Sequence, residues 1–212
     1  MNTTKHVKIS EQNAKLGRIC NISVEPIASC PNSILCREFC YAKPIYDRLE
    51  VVRAAWGGNW EMFKNSPRNY RDSIIYMINH GKRGTSGLFR WHVGGDIVNQ
   101  EYLQGMMEVA DKTPELQHLA FTKSYHLDFS GIPGNMHIVA SAWAGSPINT
   151  ELPIAYVSEL DNRVEDHEVI HDCLGNCREC RKCWEAKNGE AIRLHLHGPK
   201  WLVAKALRNT HL

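Results

Sequence analysis

No apolar run in this chain approaches the ~18 residues needed to cross a bilayer, and its first residues, MNTTKHVKISEQNAKLGR, are polar. That pattern offers neither a membrane span nor a secretory leader, so the chain is expected to stay in the cytoplasm where it is made. Neither sign of charge is in excess, because 25 basic and 23 acidic side chains leave a formal +2. The field of a typical nucleic-acid binder and an acidic interaction tail are both missing, so nucleic acid is not indicated as a partner. Internal repeats and low-complexity segments are lacking as well, and 212 residues with 43% hydrophobic side chains make one sizeable core but are short for two. A single domain over residues 1–212 is expected.

Cysteine is plentiful by contrast, and its distribution is uneven. Cys20, Cys30, Cys36 and Cys40 lie near the start, and Cys173, Cys177, Cys180 and Cys183 near the end, with about 130 cysteine-free residues between. Disulfides rarely persist in a reducing compartment, which favours metal ligation. Cys177-x2-Cys180-x2-Cys183 lets a short loop turn three thiolates around one face of a cubic 4Fe-4S cluster. Structural zinc more often joins two separate Cys-x2-Cys knuckles, although four thiolates also suit it. In the first group Cys30-x5-Cys36-x3-Cys40 is weakly specific by itself. Beside the second group it suggests a shared site, a single cluster that draws on both ends of the chain. Cys30, Cys36, Cys40, Cys173, Cys177, Cys180 and Cys183 are therefore the candidate metal ligands, and Cys20 has the alternative reading of a buried thiol.

Between the two groups, apolar spacing of three to four predicts helices over Asp47–Trp56, Asn59–His80 and Glu101–Lys112. LFRWHVGGDI begins as a strand and ends in a glycine turn, while HLAFTK, MHIVASAW and PIAYVSE have the length and β-branched content of buried strands. AIRLHLHG and GPKWLVAKALRN close the chain as strand and helix, and GKRGTSG (81–87) is the candidate mobile loop. Alternation of helix and strand implies parallel βα units, arranged as a partial or complete barrel or as an open doubly wound sheet, of which the barrel is preferred. The expected fold is α/β, an irregular or partial (β/α) barrel of TIM-like type with its site at the carboxyl ends of the strands.

Several polar side chains fall at those ends. Arg90 and His92 are expected on one side of their strand because side chains alternate. Gly94 and Gly95 allow a ligand or cluster to approach the backbone, and Asp96 can bind an amine, act as a base, or simply cap the following helix. Thr122, Lys123, Ser124 and Tyr125, then Ser141 and Trp143, then Ser158 and Glu159, suit the mouth of a pocket or ordinary loop starts. His195 and His197 alternate and share a side, as a metal- or anion-binding pair or as solvent-facing residues. His92, Asp96 and Lys123 are the candidate catalytic residues, and Gly94, Gly95 and Asp96 the candidate cofactor-binding turn.

The motif ending in CYA, the segment FRWHVGGDI, the FTK and SAW stretches, and CRECRKCW followed by HLHG together resemble the bacteriophage gene-product-eighty-eight family over roughly Lys15 to His197. That likeness implies a phage protein acting in the cytoplasm of the infected host cell. More distantly, three N-terminal cysteines ahead of a GGD turn look like radical S-adenosylmethionine enzymes, although Cys-x5-Cys-x3-Cys departs from their Cys-x3-Cys-x2-Cys. S-adenosylmethionine is the candidate cofactor this likeness implies.

The residues thus point to a 4Fe-4S protein, an enzyme of redox or radical type first and a cluster-supported hydrolase second, with a small-molecule ligand near Arg90 to Asp96. A zinc-stapled module for nucleic acid or protein, without catalysis, is the alternative. The pattern leaves the oligomeric state open.

Overall fold

A computed structural model describes residues 6–13, 15–33, 36–82, 84–143, 148–161, 163–164, 169–196 and 200–209. His197 therefore lies outside the described residues, as does Arg83 of the 81–87 loop. Eight strands, β1 (Ile9–Ser10), β2 (Cys20–Ile22), β3 (Leu88–Trp91), β4 (Gln117–Thr122), β5 (Met136–Ala142), β6 (Ile154–Val157), β7 (Val169–Asp172) and β8 (Ala191–Leu194), join in one sheet. Their order is β1-β2-β3-β4-β5-β6-β8-β7. Only the β1–β2 pairing is antiparallel among these. Helices α1 (Ala42–Arg48), α2 (Glu50–Asn65) and α3 (Pro67–Asn79) connect β2 to β3, α4 (Gln100–Lys112) connects β3 to β4, and α5 (Lys200–Asn209) follows β8.

The parallel run of neighbours from β2 to β6 is what successive crossover connections in one direction produce. The expected barrel does not close, however, and β1 and β7 stand at the two edges of an open sheet. Two physical reasons are visible. β7 is placed outside β8, where nothing returns to β1, and among the described residues no helix accompanies the β4–β5 and β5–β6 connections. A helical layer therefore backs only the first half of the sheet.

The two faces of the sheet are built differently. On the helix side, Cys20, Ile22, Phe89, Trp91, Ala120, Met136 and Ile138 pack with Trp60, Phe63, Ile74, Ile78, Leu103 and Met106 of α2–α4. Each fully buried side chain of this size contributes about 1.5–3 kcal/mol, so most of the apolar stabilisation lies here. On the opposite face a smaller cluster sets Leu88, Leu119, Val139, Ala155 and Ile192 against Leu16, Ile19, Cys183 and Trp184.

The helix expected over Asn59–His80 is divided at Ser66, whose side chain accepts from the Asn69 amide at 3.2 Å while Pro67 takes the first helical position. α4 is capped by Asn99, which accepts from the Tyr102 amide at 2.8 Å. Asp96 is thereby released from the capping role that its place before a helix suggested.

Candidate functional site

Partner residues in a parallel ladder share a face. Arg90, Phe121, Ser141, Val157 and Leu194 consequently line up across β3, β4, β5, β6 and β8, on the face away from α2–α4. They form one side of a cavity of about 250 Å³ at or near the carboxyl ends of the strands. Cys30, Cys36 and Cys40 of the N-terminal segment line it too, as do Cys173, Cys177 and Cys183 of the C-terminal segment, and Leu202, Val203 and Ala206 of α5. Six of the seven candidate metal ligands are thus brought to one cavity from opposite ends of the chain. Cys180 is turned elsewhere, with its Sγ 3.1 Å from Nε2 of His171.

The N-terminal thiols are held by the turn that follows β2. Ile27 has φ 72° there, a left-handed conformation that a β-branched residue rarely adopts. Its carbonyl accepts from the Cys30 amide at 3.1 Å. Strain of this type persists only where neighbours enforce it, and it clusters at functional sites. The glycine turn locks against this segment, because the Val24 amide donates to the Gly94 carbonyl at 3.1 Å and Ser23 Oγ accepts from the Val93 and Gly94 amides. Both glycines line the cavity, yet their hydrogens point into protein. A Cβ on Gly94 would sit 2.5 Å from the Trp56 ring, and one on Gly95, at φ +95°, would sit 2.4 Å from Val24 Cγ2. Close packing against α2 and the β2 turn thus constrains both positions.

Asp96 and Lys123 meet at the ends of β3 and β4. Asp96 Oδ1 accepts from Thr122 Oγ1 at 2.6 Å and from the Ile97 amide at 2.7 Å, and Oδ2 accepts from the Lys123 amide at 3.0 Å. Burial raises its pKa, and the Lys123 ammonium and these donors oppose the rise. Lys123 donates to Ser141 Oγ at 3.1 Å and lies 5.6 Å from the centre of the Trp143 ring.

His92 departs from expectation. Its φ of 55° breaks strand alternation, and Nε2 reaches the Tyr102 hydroxyl of α4 at 3.0 Å, so Arg90 and His92 do not share a side. Burial, and then the nearby Arg90 charge, lower its pKa to about 3. Its Nδ1 is buried with no hydrogen-bond partner, as is Ser33 Oγ, and both residues line the cavity.

The thiols fall into two groups. Burial pushes the Cys30 thiol up to about 12, with Asp96 and then Cys36 and Cys40 adding to the rise and the Ile27 hydrogen bond opposing it. Cys183 is pushed by burial to about 12, opposed by Arg90 and reinforced by Cys173, Cys177 and Cys180. Arg90 donates from Nε to the Trp91 carbonyl at 3.0 Å and stacks 4.2 Å from the Phe121 ring centre, and it has no carboxylate partner among the described residues. Burial lowers the Arg90 pKa, and the ionisable groups beside it that would offset its charge if deprotonated are Tyr41 and the thiols Cys177, Cys183 and Cys173.

All eight cysteines are free, and among the described residues no three His, Cys, Asp or Glu side chains close around one point as a metal site. The donor chemistry nevertheless fits thiolate-ligated iron. A partly buried cation with no carboxylate partner among the described residues gains counter-charge when the thiols beside it ionise, which metal binding forces. Cys20 is wholly buried on the helix side and takes no part. His195 bridges Asp172 at 2.8 Å and Glu159 at 3.2 Å in an exposed ion-pair node. Sequence reasoning passed over Ser33, Trp56, His171 and α5. Of these only α5, an amphipathic helix beside a cysteine-rich loop, carried a signal.

The chain matches the family described as Gene product 88 over residues 1–186, and it belongs to that family. No curated protein and no solved structure matches it. Among the described residues no helix is long and apolar enough to cross a membrane.

Proposed function

We propose that this member of the gene product 88 family is a 4Fe-4S protein, and an enzyme whose small-molecule substrate lies in the cavity at the strand ends. The observation that carries the reading is the convergence of Cys30, Cys36, Cys40, Cys173, Cys177 and Cys183 on one cavity beside Arg90, a cation with no carboxylate partner among the described residues. Soft thiolates in this number suit iron–sulfur ligation better than hard cations. The three N-terminal thiols are the ligands that adjoin the substrate, and the C-terminal thiols form a second group behind Arg90. Three thiolates on a four-iron cube leave one iron open to a small molecule, and the cluster when bound supplies one-electron chemistry.

The chain's own residues do the rest. Lys123 and Arg90 draw an anionic part of the substrate, and the Trp143 and Phe39 rings, stacked 6.0 Å apart, flank an apolar part. His92 stays neutral and offers Nδ1 as an acceptor, with Ser33 Oγ as a hydroxyl partner. Asp96, whose oxygens already accept from three donors, holds Lys123 in place; a base role is not needed of it. S-adenosylmethionine is the first ligand to test.

Protein purified without oxygen should be brown, absorb broadly near ~400 nm and bleach on reduction. Iron and acid-labile sulfide should be lost in large part from Cys30→Ala, Cys36→Ala and Cys40→Ala. A colourless protein that takes up no iron and sulfide on reconstitution would reject the proposal. Stoichiometric zinc in that material would favour the binding-module reading.

A further inference from the structure

We infer that His171 is a metal ligand of the C-terminal cysteine site, a nitrogen donor that shares an edge with Cys180. The inference rests on the reading of the cysteines as metal ligands and adds a residue that their spacing does not contain. Two observations carry it. First, Nε2 of His171 and Sγ of Cys180 are 3.1 Å apart. A thiolate and an imidazole on one tetrahedral ion, with metal–sulfur and metal–nitrogen bonds of about 2.3 and 2.0 Å, lie about 3.5 Å from each other. The pair is therefore already close to the edge of a coordination sphere.

Second, the backbone is bent to put His171 there. Val169 pairs with Ala191, whereas His171 pairs with Ile192, so the β7–β8 register shifts by one residue between them. In an unbroken strand Val169 and His171 would face the same way. The shift leaves Val169 packed with Ala191, Tyr156 and Ala142 on one face. It carries His171 to the face of Ile192, which the cysteine loop covers. Bulges that re-aim a side chain are a recurring device next to functional sites. Here the device delivers the one imidazole of β7 to the one candidate thiol that does not line the cavity. A bound imidazole in place of a thiolate also makes the centre one unit less negative, which separates its electronic character from that of an all-thiolate N-terminal site.

The test uses the full-length, reduced, metal-free chain titrated anaerobically with cobalt(II). The expected result is a cobalt-bound protein with thiolate charge-transfer bands and a hyperfine-shifted, exchangeable imidazole N–H proton outside the diamagnetic range. That proton should vanish in His171→Ala, with cobalt affinity at the C-terminal site at least ~10-fold weaker. His171→Cys should restore the affinity with stronger charge-transfer absorption, and it serves also if the alanine variant folds poorly. Absence of the shifted proton from the unmutated protein, or no cobalt bound, would overturn the assignment. Affinity unchanged in His171→Ala would do the same and leave a thiol–imidazole hydrogen bond. Failure of this kind is distinguishable from failure of the iron–sulfur proposal, which is judged on iron and sulfide in protein carrying His171 intact.

Discussion

Thr122 donates a 2.6 Å hydrogen bond to Asp96 across the carboxyl ends of β4 and β3. With the Lys123 and Ile97 amides on the same carboxylate, this contact fixes the mouth of the cavity.

Asp96→Asn should cost about 1–3 kcal/mol, because an amide nitrogen facing the Lys123 or Thr122 donor leaves a buried group unsatisfied. Burial lifts the Asp96 pKa above the ordinary 3.8. A raised value makes the folded chain hold its proton longer, so the contribution is complete below the ordinary value and is lost as pH climbs through the raised one. The melting temperature of the wild type should therefore exceed that of the variant most at low pH, and the gap should narrow towards neutrality. A gap that widens with pH would show the carboxylate to be stabilised in its charged form.

Gly94→Ala and Gly95→Ala test whether packing or ligand approach dictates the glycine turn. The new methyl at Gly94 meets Trp56 at 2.5 Å. Overpacking of this type costs about 1–3 kcal/mol. Gly95 adds a positive φ to a 2.4 Å clash and should suffer more. Trp56→Leu in the Gly94→Ala background should recover part of the loss in a denaturant titration, and no recovery would point to a ligand instead.

His92 predicts acid lability. Its folded-state value near 3 lies below the ordinary 6.5. The unfolded chain therefore binds the proton first, and stability present above pH 6.5 is lost as pH falls towards 3, by up to ~1.4 kcal/mol per unit. His92→Gln should flatten that part of the profile, and nitrogen chemical shifts should report a neutral ring in the wild type at pH 5.

Cys20→Ala serves as the control among the thiols. Its sulfur is fully buried on the helix side of β2, so the variant should lose roughly 1 kcal/mol of stability and keep its full iron content. Reduced iron there would require Cys20 to join the ligand set.

Much of this arrangement is legible in the residues alone. β3 to β6, α4, β8 and α5 announce themselves by period and length, and the strand-end polar residues Lys123 and Ser141 do fall on one cavity. β1 and β2 have two and three residues, too few for any alternation to register. The position of β7 outside β8 is a long-range pairing with no local signal, and it decides that the sheet stays open. His92 misled because a single left-handed residue undoes the alternation that placed it with Arg90. His171 was invisible because a register shift, which pattern cannot foresee, turns it.

The sheet acts as a partition. One side is filled with hydrocarbon from α2–α4 and needs nothing from outside the chain. The other sets its smaller apolar cluster beside sulfur and a guanidinium that has no carboxylate partner among the described residues. If the thiols hold metal as proposed, its removal should be felt unequally, with a firm scaffold behind and a loosened surface in front.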